Sequence, residues 1–274
     1  MNGWKIPVAV AAGALALSTV LATTASARPA HQAATTAASA HTHQAKPTIV
    51  LVHGAFEDAS SWSGEITRLE RDGYPVIAPA VPLRGVASDS AYLTAVVRSI
   101  KGPVVLVGHS YGGALITEIA AQDPQQVKAL VYTAALIPKA GETLGQLDAQ
   151  FPGSLLGPDT TFTVSFPGGT DIYVKAADFR ALFAGDRSAT DAAVAAATQR
   201  PAASTALTEP VAAGVPAGTP VYAIVASQDK AIPPAAERFE AKRAGATIYT
   251  VNSAHDLPAS HPAQVTQVIE HAAR

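Results

Sequence analysis

The run Val104-Val105-Leu106-Val107-Gly108-His109-Ser110-Tyr111-Gly112-Gly113 constrains this chain more than any other feature. Four aliphatic residues in succession form a strand buried on both faces. Gly108, Ser110 and Gly112 then fit G-x-S-x-G, and an apolar helical segment, residues 113–122, follows at once. A strand that turns directly into a helix needs a tight, strained turn. The glycines are there because another stretch of chain must pass close by. The serine hydroxyl is thereby held exposed above the strand's end, where the helix N-terminus favours a developing anion. No G-x-G-x-x-G and no phosphate-loop lysine is present, so a phosphate-binding turn is the weaker reading. Ser110 is the candidate nucleophile.

A serine hydroxyl is a weak nucleophile until a base takes its proton. That base is expected on a loop after the last strand. His255, within Asn252-Ser253-Ala254-His255-Asp256, lies between the apolar run 247–251 and a closing helix that begins at Pro262. His261 and His271 are rivals, but they stand at the start of that helix and inside it. His109 adjoins the serine and is expected to point elsewhere. Asp229, directly after the apolar run 221–226, is the expected acid that orients the imidazole, with Asp256 and Asp148 as alternatives. Backbone N–H groups for an oxyanion are expected from Tyr111 and from Ala55, on the loop after the first strand. Phe56 is the alternate to Ala55.

The rest of the chain supplies the scaffold. Residues 48–52 (TIVLV) read as a buried strand, 62–71 as a helix, and 74–78 as a second strand. Ser90 is the expected N-cap of a helix through Ile100. A strand over 127–136 completes an alternation of strands and helices, which predicts βαβ units and a parallel sheet. The alternation lapses over about 139–218. There, residues 160–166 and 171–175 predict a hairpin around Pro167-Gly168-Gly169-Thr170, and two Ala-rich helices are expected near 176–184 and 190–199. This stretch reads as a cap inserted over the sheet. Alternation resumes with strands at 221–226 and 247–251 and helices at 234–244 and 262–273.

Composition narrows the function. Net charge is −2, so no basic field attracts nucleic acid, and cysteine is absent, which removes disulfides, zinc–thiolate sites and cysteine nucleophiles. Lys5, the apolar run 6–21 and Ala25-Ser26-Ala27 resemble a secretory signal peptide over residues 1–27. The expected protein is therefore secreted, with no membrane attachment after cleavage. Residues 28–47 lack apolar periodicity and read as a disordered linker. His31, His41 and His43 lie in that linker and are not read as a metal site. The catalytic domain is expected over 48–274.

Four motifs carry a resemblance to the α/β-hydrolase superfamily: HGAF at 53–56, GHSYGG at 108–113, Asp229 followed by Ile232-Pro233, and His255 followed by His261-Pro262. HGAFEDASSW and the short strand-containing cap resemble its small esterase and hydroxynitrile-lyase branch. The resemblance implies an α/β fold, with a mostly parallel sheet, helices on both faces and an inserted cap, and it implies no cofactor. Plant hydroxynitrile lyases of this branch carry a threonine at the position of Gly54 and a lysine after the catalytic histidine, where this chain has Asp256. Ester hydrolysis is therefore expected, lactones and thioesters using the same machinery. A C–C lyase and a non-catalytic binding protein are the alternatives. Phe56, Phe151 and Phe179 are candidate substrate contacts, with Phe162, Phe166 and Phe183 as further apolar candidates. Few cationic residues occupy the cap, so the expected substrate is small and uncharged.

Overall fold

The computed structural model describes residues 45–274. The expected signal peptide and His31, His41 and His43 lie outside the described residues. Of the expected linker only residues 45–47 are described. Pro47 there is buried, and the Lys46 ammonium lies 4.0 Å from the centre of the Tyr74 ring.

Among the described residues the strands are β1 (Thr48–Val52), β2 (Val76–Ile77), β3 (Val104–Ser110), β4 (Val127–Ala135), β5 (Thr161–Phe166), β6 (Gly169–Val174), β7 (Ala202–Ala203), β8 (Val221–Ala226) and β9 (Thr247–Val251). The helices are α1 (Ser63–Arg71), α2 (Val86–Arg98), α3 (Gly112–Gln122), α4 (Leu144–Ala149), α5 (Ala176–Leu182), α6 (Ala189–Thr198), α7 (Thr205–Thr208), α8 (Pro234–Arg243), α9 (Leu257–Ser260) and α10 (Pro262–Ala272). One sheet runs β2-β1-β3-β4-β8-β9, with every neighbouring pair parallel. Among the described residues no helix is long and apolar enough to cross a membrane.

Strand periodicity divides the core between the two faces of this sheet. Val50, Val52, Val104 and Leu106 point to one side and pack with Leu93 of α2, Leu115 and Ile119 of α3 and Ala241 of α8. Ile49, Leu51, Val105 and Val107 point to the other and pack with Leu69 of α1 and with Val265 and Ile269 of α10. Both faces are covered, which is why these strands are apolar without interruption. Each such side chain contributes roughly 1.5–3 kcal/mol by leaving water.

Strand order reverses between β1 and β3. The chain steps outward from β1 to β2, then returns to the other side of β1. A crevice opens at such a switch point, beyond the strands' C-terminal ends. Between β4 and β8 the chain leaves the main sheet and forms α4 to α7 with the antiparallel sheet β5-β6-β7.

Several boundaries differ from expectation for local reasons. Helix α2 begins four residues before Ser90: Gly85 stands at its N-cap without a side-chain cap bond, Glu209 Oε2 accepts the first-turn N–H of Ala87 at 3.2 Å, and Asp89 reaches back to accept from Arg84 N at 3.0 and 3.2 Å. Ser90 instead bonds back to Ala87 O. The hairpin turn is Pro167-Gly168 alone. Gly168 takes φ 100°, so Gly169 and Thr170 already pair with Phe166 and Ser165.

Candidate active site

Strand β3 ends at Ser110, whose φ is 52°. A non-glycine residue holds this left-handed conformation only where its surroundings enforce it. A side chain on Gly108 would bring a Cβ within 2.6 Å of Gly112 O, and one on Gly112 would strike Val52 O at the end of β1. The glycines thus let β1, β3 and α3 converge. The Tyr111 hydroxyl, 2.9 Å from Asp89 Oδ2, ties the turn to α2. Burial pushes the Asp89 carboxyl up and the Tyr111 phenol up as well.

His255 follows β9 and is fully buried. Its Nε2 lies 2.9 Å from Ser110 Oγ, and its Nδ1 lies 2.6 Å from Asp229 Oδ2. Asp229, just after β8, accepts N–H bonds on its other oxygen from Ala231 at 2.7 Å and Ile232 at 2.8 Å. That leaves Oδ2 aimed at the imidazole. A ring placed this way can accept the serine proton at Nε2 while the carboxylate stabilises the resulting imidazolium. The structure therefore brings Ser110, His255 and Asp229 together. His261 instead bonds Ser260, and His271 packs on Tyr222.

A cavity of about 370 Å³ opens over Ser110 and His255. Ala55, Phe56 and Tyr111 line it beside the serine. Phe56 has φ 64°, and among the described residues no intramolecular acceptor takes the N–H of Ala55, Phe56 or Tyr111. Phe183 also lines it, meeting Phe56 edge-on with ring centres 5.7 Å apart and His255 edge-on at 4.8 Å. Phe151 and Phe179 are not part of this wall. Phe151 packs against Phe239, and Phe179 stacks behind Phe183 at 5.1 Å. Phe162 and Phe166 are largely exposed.

Three acids assume positions the sequence did not foretell. Glu57, on the loop after β1, pairs with His109 at 2.9 Å. Burial alone would lower the His109 imidazole, but the Glu57 carboxylate outweighs it and holds the pKa up at about 9. Asp256 turns away from the site to Arg187 in the cap, 2.5 Å away, and burial raises its carboxyl to about 7. Asp148 does not reach His255 as its acid. It stands on α4 in the cavity wall. The spacing of Glu57 and His109, 52 residues apart, offered no local signal; for α4, which was not expected, the Thr143/Gln146 capping box is the signal that could have found it.

A parallel sheet with a hydroxyl, an imidazole and a carboxylate in sequence at its C-terminal edge defines an α/β protein equipped for acyl transfer. The chain matches the alpha/beta hydrolase family over residues 49–268 and belongs to it. It is 31% identical over 107 residues to a carbendazim-hydrolysing esterase of Nocardioides sp. (strain SG-4G), covering 35% of this chain and 44% of that one. It is 32% identical over 108 residues to a pyrethroid hydrolase of Sphingobium wenxiniae, covering 35% and 38%. The matches thus span less than half the length of these relatives. The crystal structure of polyneuridine aldehyde esterase superposes with a TM-score of 0.71 at 20% identity, covering 84% of this chain and 100% of that one. That likeness is one of fold.

Proposed function

We propose that this chain is a serine hydrolase that cleaves small, uncharged carboxylic esters, or lactones, through an acyl-serine intermediate. One observation carries the reading: His255 bridges Ser110 Oγ at 2.9 Å and Asp229 at 2.6 Å on the floor of an apolar cavity. Ser110 attacks the ester carbonyl as His255 Nε2 takes its proton. The N–H groups of Tyr111 and Ala55 receive the oxyanion, with Phe56 as the alternate to Ala55. Collapse expels the alcohol, which leaves with the proton from His255. Water, deprotonated by His255, then releases the acid. No cofactor enters this sequence.

The two relatives named as a carbendazim-hydrolysing esterase and a pyrethroid hydrolase support the reaction class. The cavity's volume and apolar wall support an uncharged substrate of modest size. The Asp256 carboxylate, engaged with Arg187, places no ammonium beside His255, which weighs against a cyanide-handling lyase. The reading extends to export: the first 27 residues act as a secretory leader, which N-terminal sequencing of protein recovered from the culture medium tests.

The deciding experiment is turnover of a short-chain p-nitrophenyl ester panel beside Ser110→Ala. Turnover in the parent, reduced by several orders of magnitude in the variant, is the expected result. No turnover on any ester, with no fluorophosphonate labelling, overturns it.

A further inference from the structure

The cap sheet β5-β6-β7 has one open edge. Residues 162–169 are all exposed, and β5 pairs on one side only, with β6. Lys175 N donates to Thr160 O at 2.8 Å, which fixes the phase of the hairpin ladder. Phe162, Val164 and Phe166 therefore turn their peptide groups toward β6, and Thr163 and Ser165 turn theirs outward. Among the described residues no main-chain partner meets the N–H or C=O of Thr163 or Ser165. The open stretch is bounded at both ends: Thr161 N already donates to Gly157 O at 3.0 Å, and Pro167 has no N–H. The far edge of the sheet is closed, since Ala203 N of β7 donates to Leu83 O at 2.9 Å.

The side chains leave this edge ready to pair. Thr161 and Ile172 line the cavity over Ser110. By alternation Phe162, Val164, Phe166 and Tyr173 lie on the opposite, outward face, where Phe162 stacks on Tyr173 at 5.2 Å. Exposed edges are ordinarily blunted by lysine, proline or a bulge. Strand β5 carries no charge and no proline, and its register with β6 is unbroken. Asp171, the cross-strand neighbour of Val164, is already paired with Arg84 at 2.7 Å. Moreover, Phe162-Thr163-Val164-Ser165-Phe166 reads nearly the same in both directions about Val164.

We propose that β5 pairs with β5 of a second copy of this chain, antiparallel about a two-fold axis through Val164. Backbone and side chains are both self-complementary in that register. Thr163 meets Ser165 of the partner subunit, and each such pair exchanges two N–H to O=C bonds. Phe162 stands opposite Phe166 of the partner subunit, and the two Val164 side chains meet at the axis on the apolar face. No like charges oppose one another along the strand. Because the β7 edges are closed, the joined sheet stops at two copies. A single-strand ladder belongs to the small, weak class of interface, under about 1,200 Å², so the dimer forms and dissociates with concentration. The pairing is independent of the reaction assigned to Ser110.

Sedimentation equilibrium of the parent from about 1 to about 500 μM is expected to show a monomer–dimer equilibrium. Val164→Lys sets two ammonium groups face to face at the axis and is expected to weaken association roughly tenfold or more, as is Val164→Glu with two carboxylates. An equimolar mixture of these two variants is expected to recover the dimer, which also shows that both still fold. The chain has no cysteine, so Val164→Cys places one thiol from each copy at the axis and none elsewhere. Non-bonded antiparallel neighbours sit about 4.5 Å apart at Cα, within disulfide reach. Mild oxidation is expected to cross-link Val164→Cys roughly tenfold faster than Val194→Cys, at an exposed position of α6. A parent that stays monomeric throughout overturns the proposal, and if that monomer sediments with phosphatidylcholine vesicles the apolar face serves a lipid surface instead. A dimer that Val164→Lys leaves intact, a mixture that stays monomeric, association past two copies, or equal cross-linking of the two cysteine variants overturns it as well.

Discussion

Glu57 and His109 form a buried pair directly behind the candidate nucleophile, with Oε2 and Nδ1 2.9 Å apart. The other ring nitrogen of His109 faces the main-chain oxygen of His255 at 2.9 Å. A carbonyl only accepts, so Nε2 carries a proton. With the carboxylate at Nδ1, the ring is an imidazolium, and it links the loop after β1, the turn after β3 and the loop bearing His255.

A pH dependence follows. The folded state holds His109 protonated up to about 9, against 6.5 in the unfolded chain. Stability from this pair is complete below pH 6.5 and is lost as pH rises through about 9. Glu57→Gln is expected to cost about 3 kcal/mol at the acidic end of this window and progressively less toward the alkaline end. Asp256 and Glu65 also sit near His109 and titrate in the same range, so the difference between parent and variant melting curves is the quantity to measure. Parallel curves from pH 6.5 to 9 would show that the ring is not charged.

Asp229→Asn tests the orientation of His255. The oxygen that accepts from Ala231 at 2.7 Å and Ile232 at 2.8 Å must remain an acceptor, so the new amide NH₂ faces His255 Nδ1. The ring then accepts at Nδ1 and carries its proton on Nε2, where it cannot take the Ser110 proton. Turnover is expected to fall roughly 10⁴-fold, as for the corresponding substitution in other triads, with a small change in melting temperature. A loss of less than tenfold would mean that His255 does not depend on Asp229.

Gly54→Ala probes the floor of the site. The added methyl would stand 2.8 Å from Ser110 Cβ and 3.0 Å from His109 Nδ1. Real Cβ atoms do not approach so closely, so the serine must shift. A displacement of this kind costs about 10²-fold in kcat, because reacting groups need near-contact alignment. The expected signature is a reduced kcat with KM little changed. Unchanged kcat/KM would show that the serine has room to move without consequence.

How much of this was visible beforehand depends on the length scale of each signal. The buried strands announced themselves because both sheet faces are covered and their apolar runs are uninterrupted. Ser110 and Asp229 were legible because each stands at or just after the end of such a strand, and His255 because it follows the half-exposed edge strand β9 at the corresponding topological position; distance in the chain does not blur that rule. Phe151 and Phe179 were natural candidates for the cavity wall, yet Phe183 occupies it. Nothing in a segment this irregular distinguishes the ring facing inward from the one stacked behind it. Short elements such as β7, with two residues, and α9, with four, span only about one period of their pattern, so periodicity could not reveal them. The pairings of Glu57 with His109 and of Arg187 with Asp256 are purely tertiary.

That last pairing couples the cap to the loop of His255. Arg187 Nη1 lies 2.5 Å from Asp256 Oδ2, Asp256 N donates to Phe183 O at 2.8 Å, and Asp186 accepts from Ser253 and Ala254 at 2.9 and 3.1 Å. Arg187→Met removes the partner of an almost fully buried carboxylate whose pKa already stands at about 7. The raised pKa means that Asp256 is neutral in acid and charged in base. The parent's advantage over the variant should therefore be small below pH 6 and grow above about 7, reaching roughly 1–2 kcal/mol in mildly alkaline buffer. Thermal melts of both proteins in acidic and alkaline buffer measure this directly. A melting difference that is constant with pH, or larger in acid, would show that Arg187 steadies the cap by packing alone.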